Sequence, residues 1–89
     1  MSRLTLREYV CVLLRNDQRN TPENAASFRE IADHFVQTGW SETTVRQTLQ
    51  TMFAGGRDHF ETQFGTIAKV QGSNNGRVGR PPMLYYFAG

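Results

Sequence analysis

A single cysteine, Cys11, stands in the 89-residue chain, so no internal disulfide is available and nothing points to an oxidising compartment. Long apolar runs are missing as well. The longest, Tyr9 to Leu14, is far too short to span a bilayer and is flanked by Arg7, Glu8 and Arg15. The N-terminus does not show the charged, apolar and small-residue regions of a secretory signal in order. A cytoplasmic protein with no membrane partner is therefore expected. His34 and His59 stand apart from any Cys, Asp or Glu at metal-ligand spacing, which predicts no metal site. Neither a Gly-rich phosphate loop nor a nucleophile–base arrangement occurs, and so small a chain leaves little room for a buried pocket. Glu30 and Asp33 read as a cap and a solvent-facing charge rather than a catalytic pair. The expectation is a chain that is not an enzyme and carries no cofactor.

Acid is missing from one end only. Residues 1–64 hold seven arginines against eight acids, a balance of −1, whereas residues 65–89 hold Lys69, Arg77 and Arg80 with no acid, a balance of +3. The basic character belongs to the C-terminal segment, where it can form a local positive surface.

What is present is a set of legible helix starts. Thr5-Leu6-Arg7-Glu8 fits a capping box, with Leu4 and Tyr9 at the staple positions. An apolar face follows at Leu6, Tyr9, Val10 and Leu13, with Leu14 on its margin and Cys11 on the less apolar side. This helix is expected to end between Asn16 and Arg19, before a loop at Asn20-Thr21-Pro22. Ser27-Phe28-Arg29-Glu30 is a second box; Phe28, Ile31, Ala32 and Phe35 mark the buried side, and Gly39 stops the helix. Ser41 caps the third helix, roughly Ser41 to Ala54, with Trp40 and Val45 as its staple. Val45, Leu49, Met52 and Phe53 face the core. Thr43, Gln47, Gln50 and Ala54 project oppositely, with Thr44 and Arg46 on the flanks.

Beyond Gly55-Gly56 the period shortens. Phe64 to Gln71 reads as a strand, Gly72-Ser73-Asn74-Asn75-Gly76 as a turn, and Met83 to Phe87 as the second strand of a hairpin. Pro81 and Pro82 suit a strand start or edge. Tyr85, Tyr86 and Phe87 alternate across the sheet and anchor it to the helices. Arg57 to Gln63 carries no clear signal. Residues 1–89 are expected to form a single domain of three helices followed by a C-terminal β-hairpin, an α+β fold.

"SFREIADHFVQTGWSETTVRQTLQTM" resembles the helix-turn-helix of bacterial winged-helix transcriptional regulators, and "GRPPMLYYF" is similar to the wing-closing strand of many of them. The resemblance extends from about Thr5 to Phe87. It implies a winged helix-turn-helix that binds double-stranded DNA as a small transcriptional or accessory regulator, with the third helix in the major groove. Thr43, Thr44, Gln47 and Gln50 then face bases, and glutamine can pair bidentately with adenine. Ser41 and the helix start offer a phosphate contact, and Arg46, Lys69, Arg77 and Arg80 supply phosphate attraction. Asn74 and Asn75 let the basic loop turn onto the DNA backbone or minor groove. So few positive charges imply a weak single copy, strengthened by a homodimer or a protein partner through helix one. A winged-helix protein-interaction module without direct DNA binding is the alternative, favoured by the acidic balance of residues 1–64 and the width that Val12 and Leu14 add to helix one.

Overall fold

The computed structural model describes residues 4–72 and 83–89. Expectations placed on Asn74, Asn75, Arg77, Arg80, Pro81 and Pro82 lie outside the described residues. Three helices, α1 (Leu6–Asn16), α2 (Phe28–Gln37) and α3 (Glu42–Met52), pack with an antiparallel sheet of four described strands. These are β1 (Ala26–Ser27), β2 (His59–Thr62), β3 (Gly65–Gln71) and β4 (Met83–Phe87), in the order β1-β4-β3-β2.

All three helix starts are capped by hydroxyls. Thr5 accepts from the Glu8 N–H at 3.3 Å while the Thr5 N–H donates to the Glu8 carboxylate at 2.8 Å. Ser27 and Glu30 repeat the arrangement, and Ser41 accepts from the Thr44 N–H at 3.0 Å. Each such cap stabilises its helix by about 1 kcal/mol. The C-terminal ends of α1 and α2 share a second device. At α2, the Trp40 N–H reaches back to the Phe35 carbonyl at 3.0 Å and the Gly39 N–H to that of Val36 at 3.2 Å. This double closure places Gly39 at φ +104°. At α1, Arg19 and Gln18 make the same two bonds to Leu14 and Arg15, with Gln18 at φ +59°.

The core is one cluster that draws on every helix and on three strands. Leu6, Val10, Cys11 and Leu14 come from α1, Ile31, Ala32 and Phe35 from α2, Val45, Leu49 and Met52 from α3, and Ala26, Ile67 and Tyr85 from the sheet. The apolar face of α1 is therefore rotated from the sequence expectation. Cys11, expected on the less apolar side, is fully buried, and so is Leu14, whereas Tyr9 is 38 % exposed and Leu13 lies at the rim. The buried set Leu6, Val10, Cys11, Leu14 falls at i, i+4, i+5 and i+8, one face of a helix, and cysteine behaves there as a small apolar residue. Leu14 is thus no spare surface.

On the sheet, Ile67 pairs with Phe87 and Lys69 with Tyr85, and this register turns Phe60, Ile67, Tyr85 and Phe87 toward the helices. The unreadable stretch around residues 57–63 contains β2, whose hairpin with β3 turns through Gln63-Phe64. The Thr62 hydroxyl makes that turn, donating to the Gly65 carbonyl at 2.9 Å and accepting from the Phe64 N–H at 3.1 Å. The third helix ends two residues earlier than expected, and Ala54–Gly56 form a separate 3₁₀ turn. Among the described residues no helix is long and apolar enough to cross a membrane.

Candidate nucleic-acid interface

The outer face of α3 is polar and almost uncharged. At about 100° per residue, Thr43, Gln47 and Gln50 fall within roughly 60° of one another, and all three are exposed. The opposite side, Val45, Leu49 and Met52, is buried, so the helix cannot rotate without emptying the core.

Each flank of this face borders a cleft. On one side, a cleft of about 240 Å³ is lined by Arg7 of α1 with Thr44, Gln47, Thr48 and Thr51 of α3. On the other, a cleft of about 430 Å³ lies between α2, α3 and β4, where Arg29, Arg46 and Gln50 surround an apolar floor that includes Phe28 and Met83. Met83 is 37 % exposed.

The cations around α3 are engaged to different degrees. The Arg46 guanidinium sits 4.9 Å over the Phe28 ring and 3.7 Å from the Glu42 carboxylate. Glu42 also accepts from Arg29 at 3.0 Å, and Arg29 lies 3.9 Å from Asp33. Arg46 is thus one end of a ladder joining α2 to α3. All four groups are well exposed, so each pair is worth well under about 1 kcal/mol and can be exchanged for a phosphate at little cost. The Lys69 ammonium lies 5.4 Å from the Phe53 ring, half-buried at the C-terminal end of α3. Arg7 forms no ion pair among the described residues; its guanidinium carbon lies 5.8 Å from the centre of the Phe60 ring.

Hydroxyls complete the site. The Ser41 hydroxyl donates to that of Thr44 at 2.7 Å while capping α3, which commits its hydrogen and leaves Thr44 free to donate outward. Next to Arg7, the Thr5 N–H donates to the Glu8 carboxylate and holds its pKa below the ordinary 4.5. The Thr5 hydroxyl and the Gln63 amide also donate to Glu8. Asp58 is held down likewise, chiefly by its hydrogen bond with His59.

Of the sequence-derived residues, the structure brings Ser41, Thr43, Thr44, Arg46, Gln47 and Gln50 together on α3 and its cap, and puts Lys69 beside the helix end. Sequence reasoning passed over Thr48, Thr51 and Arg7, all of which line the smaller cleft. Thr51 follows Gln47 by four residues, and helical spacing alone would have found it. Arg7 reaches α3 only through tertiary packing, for which the sequence carries no local signal. No group of three or more His, Cys, Asp or Glu side chains is placed to hold a metal among the described residues. No protein-family model, curated protein or solved structure gives a significant match to the chain.

Proposed function

We propose that the chain is a winged helix-turn-helix module that binds double-stranded DNA as a small transcriptional or accessory regulator. In this reading α2 and α3 form the helix-turn-helix, and β3 and β4 are the strands of the wing. The observation that carries the reading is the exposed Thr43–Gln47–Gln50 face of α3, bordered by arginines from α1 and α2 and by Arg46 of α3 itself. Amide and hydroxyl side chains on an uncharged helix face suit base edges, and flanking guanidinium groups suit the two phosphate strands that border a groove. Lys69, Arg77 and Arg80 add the basic C-terminal balance. With so few cations a single copy binds weakly, and a second copy or a partner raises affinity by multivalency.

Anisotropy of a labelled random-sequence duplex, titrated at low and at near-physiological salt, tests the function. The reading requires binding that weakens with salt. No binding at low salt rejects it.

A second reading, a protein-interaction module, draws on one observation. A cleft of about 550 Å³ at the α2–α3 turn is lined by Leu4, Tyr9, His34, Phe35, Thr38 and Trp40. Aromatic side chains of this kind are enriched in protein contacts.

A further inference from the structure

We infer that the cleft between the start of α1 and α3 is a phosphodiester-binding site in which Arg7 supplies the charge and the threonines of α3 supply the neutral donors. The inference rests on the DNA-binding reading and names a contact that the sequence pattern did not contain.

The lining is chemically uniform. Arg7, Thr44, Gln47, Thr48 and Thr51 each carry a hydrogen-bond donor, and none carries a carboxylate. A guanidinium surrounded by hydroxyl and amide donors matches the acceptor-only oxygens of a phosphodiester. Arg7 is also the arginine beside α3 that makes no ion pair among the described residues, whereas Arg29 and Arg46 share Glu42.

The one carboxylate adjacent in sequence, Glu8, already receives the Thr5 N–H, the Thr5 hydroxyl and the Gln63 amide. These bonds turn the Glu8 carboxylate toward Thr5 and Gln63, and Arg7 acts on it only as a nearby charge. Arg7 also borders the neighbouring cleft, which Glu8, Phe60 and Glu61 line, so an anion meets the guanidinium without facing a carboxylate from the α3 side. On that side, Thr44, Thr48 and Thr51 follow one another at i, i+4 and i+7. At 1.5 Å per residue they form a row about 10 Å long, parallel to the helix axis. A helix lying in a major groove has a phosphate strand running beside it, and this row with Arg7 at its edge faces such a strand. The arginine fixes the helix against the backbone, and Gln47, shared by the cleft and the exposed face, connects that contact to base readout.

The test compares Arg7→Gln with Arg15→Gln in the full chain. Arg15 is exposed in the last turn of the same helix and lines none of these clefts, so it removes the same charge without touching α3. Both are titrated with random-sequence duplex over a series of salt concentrations, and thermal midpoints check folding. Arg7→Gln is expected to weaken binding to all sequences several-fold at low salt and to lower the salt slope by about 0.9, the value for one phosphate contact. Arg15→Gln should leave the slope nearly unchanged. If wild-type protein binds and Arg7→Gln keeps the full slope, or both variants lose it equally, the site is refuted while DNA binding stands. If wild-type protein binds no duplex at low salt, the function and the site fall together.

Discussion

The N–H of Trp40 donates to the carbonyl of Phe35 at 3.0 Å, and this bond fixes where α2 stops and α3 begins. Gly39 supports it at φ +104°, a conformation that side chains with a Cβ rarely adopt. A methyl group there would meet no atom within 4 Å, so the cost of Gly39→Ala is backbone strain alone, about 1–2 kcal/mol. Gln18 occupies the equivalent position of α1 at φ +59°. Gln18→Gly relieves strain at the expense of a floppier unfolded chain and should stabilise by about 0.5–1 kcal/mol. Urea midpoints of the two variants should move in opposite directions.

Gly65 is constrained differently. Its φ is +135°, and an added Cβ would lie 2.4 Å from Cε1 and 2.7 Å from Cζ of Phe87. The Phe87 ring packs against the core cluster and cannot retreat freely. Gly65→Ala combines strain with overpacking and should cost about 2–4 kcal/mol in the same measurement, well above Gly39→Ala.

The capping box of α1 carries a pH dependence. Because the folded state holds the Glu8 carboxyl below 4.5, the folded chain binds fewer protons there than the unfolded one. The stabilisation is fully present above about 4.5 and is lost as pH falls through the lower, folded value. Asp58, depressed mainly by His59, acts with the same sign. Glu8→Gln keeps a cap acceptor but cannot titrate, so its urea midpoint should fall less steeply than that of wild type as pH is lowered from about 5 to about 3.

Base readout and backbone attraction separate on α3. Gln47→Ala should relax sequence preference, by roughly 1–3 kcal/mol at the base it reads, while nonspecific affinity falls far less than on loss of an arginine. Arg46→Ala should weaken all sequences alike. It should also lower stability by less than about 1 kcal/mol, through loss of its position over Phe28 and beside Glu42. Competition binding with a selected and a random duplex distinguishes the two patterns.

Much of this architecture was legible because its signals are local. The boxes at Thr5–Glu8 and Ser27–Glu30, the Ser41 cap and the Gly39 stop each lie within a few residues, and the structure places helix ends there. Pairing of β3 with β4 followed from alternation in Met83 to Phe87. The strand β2 escaped because its turn is made by the Thr62 hydroxyl and a glycine after Gln63-Phe64, not by an Asn-Gly pair. Cys11 and Leu14 were misplaced because α1 is apolar over so wide an arc that periodicity leaves its orientation open; packing against α2, α3 and the sheet decides it. On α3 the exposed face followed from spacing, whereas the cleft shared with Arg7 and the ladder through Glu42 to Arg29 depend on how helices cross.

The most direct test of the central claim, that α3 presents the DNA-contacting face, is to follow backbone amide resonances of the full chain during titration with a random-sequence duplex at low salt. The account predicts shifts centred on Thr43, Thr44, Gln47, Gln50 and Thr51, extending to Arg7. Shifts confined to the cleft of Leu4, Tyr9 and Trp40, or no shifts at all, would contradict it.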